Sequence, residues 1–331
     1  MNSFGRIFRI SVFGESHGDC VGITVDGCPA GLPLSPQDVA ADLERRKGGK
    51  QKGTTPRQEE DFPIFKSGIF NGKTTGFPIT ILFENKNIRS DDYAKQRSIP
   101  RPGHADWVAH QKFGGFEDYR GGGHFSARMT AGIVAAGGIA KKLMPKVGIA
   151  AEVTEIGGEK DVEKGLQKAI DAKDSVGGII ECRVNGLPAG LGEPWIDSVE
   201  SVLAHFLFAI PAVKGVEFGA GFAAAKMFGS EHNDSIIEMS GKTKTNYAGG
   251  VVGGITNGNE LVFRLSIKPT SSTPKEQESL NWDTEQVEKF SIKGRHDLCV
   301  ALRAPVIVEA VTALVLCDLM MLEQKIPRVI T

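Results

Sequence analysis

Cysteine is scarce and unpaired in this chain: five thiols (Cys20, Cys28, Cys182, Cys299, Cys317) lie far apart, with no C-x-x-C among them. An odd set without metal-ligand spacing excludes a disulfide framework and a zinc site, and predicts reduced thiols in a cytoplasmic protein. Aromatic residues make up only 7% of the chain, too few to interleave with basic residues as a base-stacking surface requires. A surplus of charge is missing too. Thirty-nine basic residues face 40 acidic ones, for a net charge of −1 and a pI near 6.7. Neither nucleic acid nor a membrane surface is therefore an expected partner. The stretch Met1 to Ile10 has no apolar core of signal-peptide length, and no window suggests the roughly 18 apolar residues of a membrane span.

The common nucleotide and metal signatures are absent as well. Gly72-Lys73-Thr74 and Gly241-Lys242-Thr243 resemble the end of a P-loop, but the glycine required five positions earlier is Ser67 in one and Ile236 in the other. No G-x-G-x-x-G follows a strand, and no H-E-x-x-H occurs, so neither a Rossmann site nor a zinc or other metal site is expected.

What is present is glycine, 41 of 331 residues, gathered into separate loops. With 40% hydrophobic and 24% charged residues the chain can bury one large core or two ordinary ones. The densest chemistry lies in Arg120-Gly121-Gly122-Gly123-His124-Phe125-Ser126-Ala127-Arg128. Three successive glycines are costly to order, and fit a backbone that must approach a ligand closely. The flanking guanidinium groups and histidine suit an anion. The small-residue run Met129 to Met144 reads as a helix, which would place the loop at a helix N-terminus.

Other loops carry matching groups. Arg6–Phe13 and Cys20–Asp26 read as strands with Gly14-Glu15-Ser16-His17-Gly18 as the hairpin tip, and His17 there has no apolar neighbour to pack on. Ser35, Pro36 and Asp38 mark a helix start, with Val39 and Leu43 as its buried stripe. The preceding phrase Val25-Asp26-Gly27-Cys28-Pro29-Ala30-Gly31-Leu32 returns as Val184-Asn185-Gly186-Leu187-Pro188-Ala189-Gly190-Leu191, 159 residues on and again before an apolar helix (about Asp197 to Ile210), which suggests a duplicated half-domain. Glu44 to Arg57 sets six cations against one carboxylate, either a solvated loop or an electropositive rim for a polyanion. Of seven histidines, His17, His104, His124 and His296 sit in Gly- or Arg-rich loops. Leu261 to Ile267 alternates as a half-buried strand and ends in Lys268-Pro269-Thr270-Ser271-Ser272-Thr273, a lysine and hydroxyls suited to phosphate. A C-terminal helix is expected from about Ala304 to Gln324. Loop histidines, cations, Asp297 and hydroxyls, with no nucleophile elbow, point to acid–base chemistry on a polyanion beside an anionic cofactor.

Taken together these motifs resemble the chorismate synthase family. The resemblance rests on Phe13-Gly14-Glu15-Ser16-His17-Gly18 with Asp26-Gly27 and Pro29, on Arg120 to Arg128, and on Gly294-Arg295-His296-Asp297. Arg101-Pro102-Gly103-His104-Ala105-Asp106, Gly186 to Pro194 and Lys268 to Ser272 add to it, from about residue 5 to the C-terminal helix. It implies an anti-1,4-elimination of phosphate from 5-enolpyruvylshikimate-3-phosphate, giving chorismate, with reduced FMN (FMNH2) and no net redox change. On that resemblance His17, His104 and Asp297 are the catalytic groups: His17 protonates the departing phosphate, His104 supplies a proton at the flavin, and Asp297 assists proton loss from substrate carbon 6. Arg46, Lys52, Arg101, Asn246 and Arg295 are the substrate contacts. His124, Phe125, Ser126, Pro211, Ala212, Gly253, Lys268, Pro269, Thr270, Ser271 and Ser272, with Arg295 shared, line the FMN site. Lys52 stands where many relatives carry arginine, His124-Phe125 where Arg-Ser is usual, and Pro211 where a polar residue is usual. The implied fold is α+β, a β-α-β sandwich of two antiparallel sheets enclosing helices. One domain would span residues 1–331, built of halves about 1–145 and 146–331 and assembled as a homotetramer. FMN would be reduced by a separate flavin reductase, or by the chain itself with NADPH, for which no extra segment is evident.

Overall fold

The computed structural model describes residues 2–49, 52–55, 59–86, 98–292 and 296–331. Strands β1 (Ser3–Phe4), β2 (Arg9–Gly14), β3 (Cys20–Asp26), β4 (Ile64–Phe65) and β7 (Ile79–Glu84) form an antiparallel sheet in the order β1-β2-β3-β7-β4. A second antiparallel sheet, ordered β10-β13-β9-β8, is made of β8 (Gly148–Ile156), β9 (Gly178–Asn185), β10 (Val213–Phe218) and β13 (Leu261–Ile267). Three hairpins stand apart: β5 (Ile69–Phe70) with β6 (Lys73–Thr74), β11 (Val251–Val252) with β12 (Ile255–Thr256), and β14 (Gln277–Asn281) with β15 (Gln286–Phe290). The helices are α1 (Gln37–Arg46), α2 (Asp106–Phe113), α3 (Thr130–Leu143), α4 (Val162–Ala172), α5 (Val199–Leu207), α6 (Gly229–His232) and α7 (Pro305–Leu322). The α+β class expected from the sequence holds.

Helix α3 packs on β2, β3 and β7, helix α7 packs on β8 and β9, and the two helices run against each other. The small residues of α3 make this possible. A Cβ at Gly132 would meet Ile23 of β3, one at Gly137 would meet Ala310 of α7, and one at Gly138 would meet Val39 of α1. Three neighbours approach one helix on three sides, and each approach takes a position without a side chain. The helix boundaries fall one to three residues from the expected ones. Ser35 does bond Asp38, but as donor: its amide and hydroxyl both give to Asp38 Oδ2, at 2.8 and 2.9 Å.

The expectation that no apolar window reaches membrane length is corrected by α7. Its 18 residues have a mean hydropathy of 2.1, and its only charged residues are Glu309 and Asp318. Its apolarity comes from burial on all sides in the core. Both carboxylates are satisfied. Asp318 accepts the backbone N–H groups of Arg6, Ile7 and Phe8 at 2.7–2.8 Å. Glu309 accepts both guanidinium arms of Arg45 at 2.7 Å and the Lys141 ammonium at 2.9 Å.

The two copies of the repeated phrase make the same turn. Gly31 N–H gives to Thr74 O (2.8 Å), Leu32 N–H to Thr74 Oγ1 (3.0 Å), Thr74 N–H to Leu32 O (2.9 Å) and Thr74 O–H to Pro29 O (2.6 Å). In the second copy Gly190, Leu191, Thr256 and Pro188 take the same four places, at 2.8–2.9 Å. Gly27 and Gly186 both sit at positive φ, +77° and +81°, where a Cβ would strike the carbonyl of Ile7 or of Lys146.

Candidate functional site

The glycine triplet is the centre of the site. Gly121, Gly122 and Gly123 have φ of 59°, 81° and 51°, three left-handed residues in a row, which side chains would make costly. The physical reason for glycine is visible at two of them. A Cβ on Gly121 would lie 2.5 Å from His17 Nε2, and one on Gly122 would lie 3.3 Å from His104 Nε2. The bare backbone therefore admits two imidazole rings, one from the β2–β3 hairpin and one from the loop before α2. The triplet is not itself the N-terminus of α3. Ser126 caps a short turn, Ala127–Met129, by accepting Arg128 N–H at 3.3 Å, and α3 starts beyond it. His124 Nδ1 donates to Gly14 O at 2.8 Å, tying the loop to the hairpin.

His104 is held by Asp106. Its Nδ1 lies 2.6 Å from Asp106 Oδ1, a position only an N–H can hold against a carboxylate. The 3.0 Å approach of Arg101 Nη2 to the same nitrogen is then packing between two donors, and Nε2 is the nitrogen left to exchange a proton. Arg101 grips the same carboxylate with Nε at 2.7 Å and Nη2 at 2.8 Å. Burial alone would raise the Asp106 carboxyl, but the hydrogen bonds from Arg101 and His104 outweigh it and hold it well below the usual carboxylate range.

A second carboxylate was not anticipated from the sequence. Asp61 accepts Arg46 Nη2 on one oxygen and Arg128 Nη1 on the other. Burial would raise its pKa, and the two guanidinium groups bring it below the ordinary value. The same burial lowers both arginines against the pull of Asp61. Arg46 Nε is buried without a partner. Asp297 accepts Thr55 N–H at 2.8 Å and Arg303 Nη1 at 2.9 Å, and Arg303 Nε gives to Arg46 O at 3.0 Å.

These groups surround a cleft of about 810 Å³. Arg46, Arg101, His104 and Asp297 line it, with His124, Phe125 and Ser126 on the glycine loop. A further wall is formed by Pro211, Ala212 and the segment Lys268, Pro269, Thr270, Ser271 and Ser272. Lys268 Nζ and Ser271 Oγ (2.8 Å) both donate to Gly103 O, so this wall is latched to the His104 loop. Burial lowers the Lys268 ammonium, and nearby Lys214 pushes the same way. Thr270 Oγ1 is buried and unpartnered.

Not every expected residue reaches the cleft. The His17 ring is buried behind Gly121, which does line it. Lys52 bonds Gln167 of α4 at 2.9 Å. Asn246 Nδ2 donates to Glu260 O at 2.8 Å, and Gly253 stands in open space at the β11–β12 turn. None of these three lines the cleft. Arg295 lies outside the described residues. The basic stretch divides: Arg46 and Lys47 border the cleft, while Arg45 is committed to Glu309. Sequence reasoning missed Asp61, Arg303, Thr55 and the holding role of Asp106. The acidic run Glu59-Glu60-Asp61, close after a basic one, was the available signal for Asp61. Arg303, a lone cation in the apolar run before α7, was the signal for the other end.

Known proteins resemble this chain over nearly its whole length. Residues 8–321 match the family described as chorismate synthase. The chorismate synthase of Chitinophaga pinensis is 66% identical over 330 residues, covering 99% of each chain. That of Dehalococcoides mccartyi is 45% identical over 360 residues, again with 99% of each covered. A solved structure described as a crystal structure of chorismate synthase superposes with a TM-score of 0.74 at 26% identity, over 97% of this chain and 93% of the other.

Proposed function

The chain belongs to the chorismate synthase family, lyases of the shikimate pathway, and we propose that it expels phosphate from 5-enolpyruvylshikimate-3-phosphate by anti-1,4-elimination, with reduced FMN bound and no net redox change. The observation that carries this reading is the pair of histidines brought to one bare glycine turn, beside a cleft bordered by buried cations. A substrate with two carboxylates and a phosphate needs such cations, and a leaving phosphate needs a proton donor.

The residues present fit FMN. Thr270 Oγ1 is a buried hydroxyl without a partner, Lys268 and Ser271 stand beside it, and Phe125, Pro211 and Ala212 offer apolar surface to a flat ring. His124, Phe125, Ser126, Pro211, Ala212 and Lys268 to Ser272 would hold the cofactor, with Arg295. Reduced FMN, when bound, supplies the electron density that helps phosphate leave from a substrate whose carbon–hydrogen bond is not acidic. Arg46 and Arg101 bind the substrate anions. His17 protonates the departing phosphate oxygen, and His104 gives up a proton from Nε2 while Asp106 fixes its tautomer. Asp297, pinned by Thr55 and Arg303, assists loss of the carbon 6 proton.

The same reading takes the chain as one domain of two repeated halves, about 1–145 and 146–331, with the sheets enclosing α3 and α7. It places a homotetramer in the cytoplasm, served by a flavin reductase or by NADPH. Asn246 and Gly253 fit this reading only by approaching from another copy in the tetramer, and Lys52 only by turning from Gln167 toward the substrate. The test is anaerobic phosphate release with dithionite-reduced FMN, beside oxidised-FMN and no-FMN controls. Release with reduced flavin alone, matched by chorismate, is expected; equal release with oxidised flavin would refute the reading.

A further inference from the structure

The Asp61 side chain is 0% exposed, and the arginine side chains it joins are only 5% (Arg46) and 4% (Arg128) exposed. Three buried charges with one cation in excess carry a desolvation cost that apolar residues would avoid. Asp61 also sits at φ +51°, left-handed in a residue with a side chain. Such an arrangement is retained where geometry matters more than stability.

The network continues in two directions. On one side Arg46 presents a buried, unpartnered Nε and borders the cleft. On the other, Arg128 Nε gives to Asn85 Oδ1 at 3.0 Å, and Asn85 Nδ2 gives to Glu15 O at 3.0 Å and Gly18 O at 2.8 Å. Those two carbonyls bracket His17. Asp61 and Arg128 line the same cleft, and the carboxylate thus connects Arg46 with the loop that carries the proton donor. We infer that Asp61 is a positioning residue, which sets the aim of Arg46 and the placement of the Glu15–Gly18 loop together. The inference rests on the proposed roles of Arg46 and His17.

Kinetics with saturating reduced FMN, thermal unfolding and FMN binding of four variants test it. Asp61→Glu keeps the charge but changes its reach, and Asp61→Asn keeps the shape but loses the charge. Whichever of the two folds should show KM raised and kcat lowered, each about tenfold, with FMN binding kept. Asn85→Ala cuts only the branch to the His17 loop, and should lower kcat several-fold with KM within about twofold. Wild-type kcat and KM in a folded Asp61 variant would overturn the inference. If neither Asp61 variant folds, unchanged kcat in Asn85→Ala overturns it by itself. Arg46→Gln separates the two levels: unchanged KM there means that the substrate role of Arg46 has failed, whatever Asp61 does.

Discussion

The turn at Pro29–Leu32 and the turn at Pro188–Leu191 share four hydrogen bonds and a left-handed glycine, and each is latched by one threonine, Thr74 or Thr256. The regions around them match in further ways. Strands β2-β3-β7-β4 and β8-β9-β13-β10 follow the same neighbour order, α1 packs on α3, and α5 packs on α7. Their chemistry does not match. His17, Arg46, Asp61, Arg101, His104, Asp106 and Arg128 all lie before residue 145, while the later half supplies Asp297, Arg303 and the 268–272 wall. Turn geometry and strand order can recur where burial and backbone pairing are the only demands. A site with two histidines at one glycine turn is needed once.

The largest effect that would sharpen this contrast lies in the histidines. His17→Ala and His104→Ala should each lower turnover by roughly 10²–10⁴-fold, with FMN binding and melting temperature nearly unchanged, measured by phosphate release and thermal unfolding. Near-wild-type turnover in either variant removes that ring from the chemistry. Asp106→Asn should cost less, about tenfold in kcat, because the ring remains but its tautomer is no longer fixed. A loss as large as that of His104→Ala would mean that Asp106 does more than orient.

Acid should weaken the fold through the early half and the helix interface together. Asp61, Asp106 and Glu309 are all held below their ordinary values by cationic partners. Their contribution is full above the unfolded carboxylate range of about 4 and is lost as pH falls through the lower folded values. Urea midpoints between pH 7 and pH 3 should fall, and Glu309→Gln should flatten part of that slope. An unchanged slope would show that Glu309 does not contribute to it. The smallest effect tests the repeat itself. Thr74→Val and Thr256→Val should each cost about 1–2 kcal/mol, alike within error, with turnover within about twofold. A clear inequality between them would break the equivalence of the two turns.

Local patterns made much of this legible. Strand β13 alternates buried and half-buried residues along Leu261–Ile267, and β3 falls where its branched residues indicated. The glycine triplet is conspicuous in the sequence, since three bare residues in a row need a reason. That reason, two rings entering from His17 and His104, depends on contacts across 104 and 18 residues of chain, which no local period reports. Asp61 was hidden in the same way, because its meaning comes from Arg46 and Arg128 on different elements. Thr55 and Asp297 meet across 242 residues. Helix α7 was legible in place but not in length of apolar run, because a helix buried on every side loses the polar face that marks most helices.

The most direct test places the two halves side by side in one assay: anaerobic conversion of 5-enolpyruvylshikimate-3-phosphate with reduced FMN by the wild-type chain, His104→Ala and Thr256→Val. The account predicts chorismate and phosphate in equal amounts from the wild type and Thr256→Val. It predicts a loss of at least about a hundredfold in His104→Ala with FMN still bound. Full turnover by His104→Ala, or equal loss in both variants, would contradict it.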